Sequence, residues 1–250
     1  MPYADSQGIR IHYQIEGAGS PVVLQHGMTQ SIEDWYERGY VDALRGTHSL
    51  ILIDARGHGR SDKPHETRAY SLASRVNDVV AVLDAEGTEK ADFWGYSMGG
   101  WIGFGMAKFA PRRVNRLVIG GAHPYPRSME GFRQVIMTAL AEGHGPFVAL
   151  VERWYPLPPG YEARLREADL EALLALAQDR EDLEPVLATI ARPCCLYAGQ
   201  ADEMFAQAEQ ASRLIAGATF FALPGLGHGQ AFVRSDLVGP QVTRFLQRAA

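Results

Sequence analysis

Short apolar runs alternate with helical stretches along this chain, and this alternation restricts the fold more than any other feature. The runs are rich in Val, Ile and Leu and end in glycine, as in "HSLILIDARGHG" over 48–59. Strands that are apolar on both faces are typical of a parallel sheet covered by helices. Strands are predicted over 20–27, 48–59, 90–95, 114–122, 193–202 and 218–229, and helices over 31–44, 71–87, 98–110, 203–217 and 235–249. An earlier run, 8–17, alternates apolar and polar residues and predicts an antiparallel strand.

One segment, 124–191, has a different character. It carries charged helical patterns such as "YEARLREADLEALLALAQDRED" and the proline cluster "WYPLPPGY", and it contains no clear strand candidate. We therefore expect a core formed by 1–123 and 192–250, with 124–191 as a helical insertion between two strands of its sheet. A length of 250 residues suits one α/β domain.

The composition excludes several classes of function. Apolar residues make up 46% and charged residues 21%, the net charge is −5, and no Lys/Arg-rich run occurs, so no nucleic-acid partner is expected. The N-terminal residues lack the basic and apolar regions of a secretion signal, and no run reaches the ~18 apolar residues of a membrane span. Cys194 and Cys195 are adjacent and cannot staple distant loops, and zinc-ligand spacing is missing. We expect a cytoplasmic protein without a metal; its oligomeric state stays open.

A candidate nucleophile lies in "DFWGYSMGGWIG", 92–103. Its Gly95-Tyr96-Ser97-Met98-Gly99 fits the pattern G-x-S-x-G, placed between a predicted strand and a predicted helix. At such a sharp turn the neighbours of the serine must be small, because strand and helix approach each other closely. The Ser97 hydroxyl would then project towards the reacting centre near the helix N-terminus. A glycine-rich turn with an uninvolved serine is the alternative.

A serine hydroxyl needs a base, and the base needs an orienting carboxylate. His228 lies in a loop expected at the carboxyl end of the last predicted strand, in "GLGHGQ", and Asp202 lies at the carboxyl end of the preceding one, in "YAGQADEMF". Both positions are at carboxyl ends of strands, where catalytic groups collect in open α/β sheets. Glu203 competes with Asp202, but it fits the first turn of the next helix, where an acid is favourable in any case. These residues predict a catalytic set of Ser97, Asp202 and His228.

An oxyanion hole requires two backbone N–H donors. We expect one from Met98, directly after the nucleophile, and one from Met28, in the loop that follows the strand "VVLQHG". His26 is interpreted as a structural histidine of that loop rather than as a base. The stretch "DARGHGRSD", 54–62, is likewise interpreted as a tight structural loop.

Candidate pocket residues are fewer and weaker. Trp154 and Tyr155, beside the prolines of the insertion, are predicted to line the substrate pocket. His123, at the end of a strand where the insertion begins, is predicted to face it as well. The other tryptophans are interpreted as packing residues, and the two cysteines as strand residues on opposite faces.

The segments "LQHGM", "DARGHGRSD", "FWGYSMGG", "LYAGQADE" and "PGLGHG" together resemble the α/β-hydrolase superfamily along nearly the whole chain. The resemblance implies a twisted, mostly parallel eight-stranded sheet, with the insertion acting as a small helical cap. It implies that Ser97, Asp202 and His228 form the catalytic triad and that Met28 and Met98 supply the oxyanion donors. No metal or organic cofactor is implied.

The resemblance also narrows the reaction. Haloalkane dehalogenases and epoxide hydrolases carry Asp where this chain has Ser97, and many C–C hydrolases carry "HGxGPG" where it has "HGMTQS". We therefore expect a carboxylic ester hydrolase acting on small esters or lactones. The sequence is also similar to cofactor-free haloperoxidases, so perhydrolase or C–C hydrolase chemistry at the same triad is the alternative. A non-catalytic small-molecule receptor on this scaffold is a third possibility.

Overall fold

The computed structural model describes residues 2–247 as one eight-stranded sheet with helices on both faces. The strands are β1 Tyr3–Ser6, β2 Ile9–Gly17, β3 Ser20–Gln25, β4 His48–Ile53, β5 Ala91–Tyr96, β6 Val114–Gly120, β7 Cys194–Gly199 and β8 Thr219–Leu223. The α-helices are α1 Ile32–Glu37, α2 Tyr40–Leu44, α3 Leu72–Ala85, α4 Met98–Phe109, α5 Glu130–Glu142, α6 Gly145–Glu152, α7 Tyr161–Arg166, α8 Leu170–Leu176, α9 Glu184–Leu187, α10 Phe205–Leu214, α11 His228–Val233 and α12 Ser235–Leu246. Within 2–247, no helix has the length and apolar character needed to cross a membrane.

The strand order is β1-β2-β4-β3-β5-β6-β7-β8. The pairs β1–β2 and β2–β4 are antiparallel, and every later pair is parallel. The predicted mostly parallel, helix-covered, eight-stranded sheet is therefore confirmed. Because β3 and β5 to β8 point the same way, the loops after them emerge at one edge of the sheet, where a site can be assembled.

Alternating side chains of the strands build two separate apolar layers. Val23 and Phe93 pack on one face with α3, α4 and α10, while Val22 and Trp94 pack on the other with α1, α2, α11 and α12. The adjacent cysteines follow the same alternation: Cys194 belongs to the first layer and Cys195 to the second, as the sequence predicts. Burial of both strand faces explains why these runs are mostly apolar.

Several boundaries differ from the sequence expectation. Strand β1 is too short and polar to be recognised by pattern, and it forms only by pairing with β2. The single helix expected over 31–44 divides into α1 and α2, because Gly39 adopts a left-handed conformation with φ 76°. The loop expected around His228 is the start of α11. Positions 248 and 249 of the last predicted helix lie outside the described residues, as do positions 1 and 250 of the predicted core.

Between β6 and β7 the chain forms helices α5 to α9. Helices α5 to α8 enclose an apolar cluster of their own, which includes Phe132, Phe147 and Leu173. The last part, Leu183 to Ile190, instead packs into the layer beside α3 and α4. An isolated antiparallel bridge between Arg127 and Arg180 joins the two ends of the separate cluster.

Candidate active site

The turn from β5 to α4 holds Ser97 in a strained conformation, with φ 54° and ψ −110°. The flanking glycines permit this geometry. A Cβ at Gly95 would collide with the backbone of Gly99, and a Cβ at Gly99 would collide with the carbonyl of Gln25 at the end of β3. Strand and helix therefore meet at a distance that only glycine allows. A positive φ at a non-glycine residue costs about 1–3 kcal/mol and marks sites where position is tightly determined.

The three predicted residues come together at the carboxyl edge of the sheet. Ser97 Oγ lies 2.9 Å from His228 Nε2, and His228 Nδ1 lies 2.8 Å from an oxygen of Asp202. The Tyr96 hydroxyl donates to the carbonyl of His228, and the Trp154 ring packs edge-on against the imidazole. The imidazole side chain is 20% exposed, so it stays within reach of solvent and ligand.

Asp202 rather than its neighbour Glu203 faces the imidazole. The Asp202 side chain is fully buried, and its second oxygen accepts the Met204 N–H at 3.0 Å. Burial acts to raise the pKa of Asp202, but the hydrogen bond and charge of His228 and the Met204 N–H outweigh it, so this pKa lies below its usual value. Glu203 is 72% exposed and pairs with Arg127 at the surface.

His26 stabilises the loop after β3 through two hydrogen bonds of its ring. This buried imidazole donates from Nδ1 to the Gly27 carbonyl at 2.7 Å and accepts the Ala55 N–H on Nε2 at 3.0 Å. Burial lowers the pKa of His26, which keeps it neutral. The Gly27 N–H donates to the Gln30 side chain at 2.7 Å, whereas the Met28 N–H has no acceptor within the described part of the chain. One N–H of this loop is thus available beside Ser97.

The loop 54–62 is a buried hydrogen-bonding network, in keeping with its structural interpretation. Asp54 accepts the Arg60 N–H at 3.0 Å, and His58 Nδ1 donates to the Arg56 carbonyl at 3.2 Å. The Arg56 side chain forms a buried bidentate pair with Asp78 on α3. These bonds fix the loop next to the β3 loop and away from the triad.

A cavity of about 490 Å³ opens above Ser97, between the sheet edge and the helical insertion. Trp154 and Tyr155 line it, as does the loop around Met28. His123 is not among its lining residues: it is buried and stacked on Tyr125, with ring centroids 5.8 Å apart. Burial lowers the pKa of His123 to about 4, so it is a neutral packing residue there.

The cavity is also lined by three arginines that were not predicted from the sequence: Arg127, Arg153 and Arg180. They belong to the charged insertion, where arginines on solvated helix faces are common and no motif separates a lining residue from a surface one. Their positive charge was the sequence feature that could have marked them as ligand-binding residues. Whether each side chain points into the cavity, however, depends on how the insertion folds. Within residues 2–247, no group of three or more His, Cys, Asp or Glu side chains could hold a metal ion.

Comparison with known proteins gives consistent likenesses. A family model described as alpha/beta hydrolase fold matches residues 20–144, half of the chain. RutD of Azorhizobium caulinodans is 40% identical over 119 residues, which cover 48% of this chain and 43% of RutD. A non-heme haloperoxidase of Rhodococcus erythropolis is 26% identical, with 99% and 100% of the two chains covered. The chain spans about half the length of the first curated relatives it matches.

Among solved structures, the chain is similar to an enol-lactonase from Burkholderia xenovorans LB400. The TM-score is 0.87 and the identity 26%, and the superposition covers 99% of this chain and 100% of the enol-lactonase. The likeness thus extends through the helical insertion as well as the sheet.

Proposed function

The chain belongs to the α/β-hydrolase family, and on that premise we propose that it is a serine hydrolase that cleaves small carboxylic esters or lactones through an acyl-enzyme on Ser97. The observation that carries this proposal is the continuous hydrogen-bonded relay from Ser97 through His228 to buried Asp202. In the proposed reaction His228 Nε2 accepts the proton of Ser97 as Oγ attacks the acyl carbon. The same imidazole then protonates the leaving alcohol and activates water to release the acid.

Asp202 is assigned to orientation and charge. Its carboxylate accepts the Nδ1–H, which leaves Nε2 free to accept the serine proton, and it stabilises the imidazolium that forms. Its lowered pKa supports this role, because the group stays ionised at neutral pH.

We assign the oxyanion hole to the backbone N–H groups of Met28 and Met98. Met98 begins α4, where the first N–H groups of a helix have no intrahelical acceptor. The unpaired Met28 N–H and the helix N-terminus both favour negative charge at this point. The strained turn at Ser97 and the His26-supported loop hold these two donors without reorganisation.

We further propose that the insertion, 124–191, acts as a cap that selects the substrate. It supplies Trp154 and Tyr155 to the cavity wall, and the volume of about 490 Å³ suits a small molecule. The likeness to an enol-lactonase supports lactones as well as open esters among the substrates.

The test is turnover of p-nitrophenyl acetate, p-nitrophenyl butyrate and small lactones by the wild type and by Ser97→Ala. Ser74→Ala, at a half-buried position in the first turn of α3, is the matched control. We expect loss of turnover and of fluorophosphonate labelling only in Ser97→Ala. Equal rates in all three proteins would refute the proposal.

A second candidate reaction is favoured by the full-length likeness to the non-heme haloperoxidase. If hydrogen peroxide replaces water as the acceptor of an acetyl group on Ser97, the product is peracetic acid, which oxidises halide. Monochlorodimedone halogenation in acetate buffer with peroxide and bromide tests this. If the wild type gives no more peroxide-dependent halogenation than Ser97→Ala, this second reaction is excluded.

A further inference from the structure

Arg180 is a buried cation in the wall of the cavity, and among the described residues it has no acidic partner. The residue is 6% exposed, and it lines the main cavity above Ser97. Within residues 2–247, its Nη1 has no hydrogen-bond partner. Burying a charged group without a partner costs several kcal/mol, so folded proteins rarely retain one unless a ligand completes it.

The other cations of the cavity are in different situations. Arg127, held beside Arg180 by the two-residue bridge, directs its guanidinium to Glu203 and to the Met204 sulphur. Arg153 lies exposed at the rim. The neighbouring acids are already used, since Asp202 is bonded to His228 and Glu203 to Arg127.

The charged groups near Arg180 are positive as well, which favours binding of an anion there. Burial, and after it the positive charges of Arg127 and Arg75, lower the pKa of Arg180 to about 9. The group still carries its proton at neutral pH. Within the described residues, the Arg75 side chain donates to carbonyl oxygens and to the Met98 sulphur, so no carboxylate is hydrogen-bonded to it near Arg180.

A second hydrogen-bond donor without a partner among the described residues, the indole N–H of Trp101, lies next to Arg180. The Arg180 guanidinium stacks 5.3 Å from the Trp101 ring, and the Trp101 indole N–H also lacks a partner within the described chain. Both side chains line a small recess that Met28 and Met98 border as well. Both donors lack an acceptor within the described residues, and Arg180, which also lines the main cavity, is the one that a ligand with acceptor oxygens and negative charge can reach there.

We propose that Arg180 binds a free carboxylate of the substrate, so that the preferred substrates are esters or lactones that bear a carboxylate. The assignment of the reaction rests on the proposed hydrolase function, whereas the carboxylate site rests on Arg180 itself. The stacked Trp101 ring holds the guanidinium in place, and the bidentate geometry of an arginine–carboxylate pair fixes the orientation of the substrate towards Ser97.

The experiment compares two esters that differ in one charge: p-nitrophenyl hydrogen glutarate and methyl p-nitrophenyl glutarate. We expect the wild type to prefer the anionic ester in kcat/KM by about 10- to 100-fold, the range of a hydrogen bond between charged groups. Arg180→Met should bring this ratio close to one, and Arg180→Lys should retain part of it. Arg213→Met, on the exposed face of α10, is the control and should keep the ratio.

Two outcomes of this comparison would overturn the inference. One is a wild-type ratio of one or less. The other is a preference that Arg127→Met abolishes and Arg180→Met leaves intact, because the anion site would then belong to Arg127.

Calorimetric binding of glutarate to Ser97→Ala separates this inference from the proposed reaction. We expect binding that weakens at least tenfold when Arg180→Met is added. If glutarate binds in this way but no ester is cleaved, the carboxylate site stands and the hydrolase proposal fails. If esters are cleaved without preference and glutarate does not bind, the carboxylate site alone is refuted.

Discussion

Replacing Gly95 by alanine tests whether close contact between β5 and α4 places Ser97. A Cβ at Gly95 would lie 2.7 Å from the Gly100 nitrogen and closer still to the Gly99 carbonyl, whereas real Cβ contacts stay above 3.0 Å. Since the obstacle is backbone, no side chain can turn away, and strand and helix must separate by about 1 Å. Forced overpacking of this kind costs about 1–3 kcal/mol of unfolding free energy.

The same displacement moves the proposed nucleophile and the Met98 N–H relative to His228. A misplacement of about 1 Å in an active site can lower the rate about 100-fold. We therefore expect Gly95→Ala to lose about two orders of magnitude in kcat/KM, and its melting temperature to fall by about 2–12 °C for a domain of this size.

Two other glycine-to-alanine variants show whether the loss of activity and stability follows the severity of the steric clash. A Cβ at Gly100 would lie 2.8 Å from the Ala122 side chain, and a Cβ at Gly239 in α12 would have no neighbour within 4 Å. Gly100→Ala should be intermediate, and Gly239→Ala should keep full activity and gain about 0.5–1 kcal/mol from helix propensity. Ester hydrolysis and thermal melts followed by circular dichroism measure both quantities. A Gly95→Ala protein as stable and active as Gly239→Ala would refute the steric reasoning.

Three further perturbations address individual side chains. Asp202→Asn should lower kcat by about 10³–10⁴-fold with the fold intact by circular dichroism, because the His228 tautomer is no longer fixed; a loss below tenfold would contradict its role. Burial raises the pKa of Asp34 to about 6, above its unfolded value, so the folded state binds more protons between about pH 4 and 6 and stability falls as the pH rises through that window. In urea titrations, the unfolding free energy of Asp34→Asn should fall by about 1–3 kcal/mol less than that of the wild type across this pH window. If the unfolding free energies of the two proteins change equally with pH, the assignment to Asp34 is wrong. Arg180→Met should raise the melting temperature by about 2–4 °C or more, since it removes an unpaired buried charge, and a lower melting temperature would count against that reading.

Local patterns carry the parts of the fold that depend on near neighbours. The apolar runs identify β3 to β8 because strands of a helix-covered parallel sheet are mostly apolar on both faces, and Ser71 and Gly87 bracket α3 through local backbone chemistry. The turn at Ser97 is equally local, because its glycines are adjacent in the chain. Strand β1 and the break at Gly39 are not readable in this way. Strand β1 has four residues and forms only by pairing with the adjacent β2, and α2 begins after Gly39 at Tyr40, whose hydroxyl donates to the carbonyl of the distant Phe232.

By itself, then, the sequence determined the α/β class, the glycine-flanked turn at Ser97, and the order of Ser97, Asp202 and His228 along the chain. The preference for Asp202 over Glu203 follows from the sequence as well, and tertiary structure adds the difference in burial: Asp202 is fully buried against His228, whereas Glu203 is 72% exposed. Tertiary structure alone left His123 out of the cavity lining and placed Arg180 in the cavity wall. The physical reason is common to these cases: burial, pairing and the balance of charge are set by residues far away in the chain, and no local spacing records them.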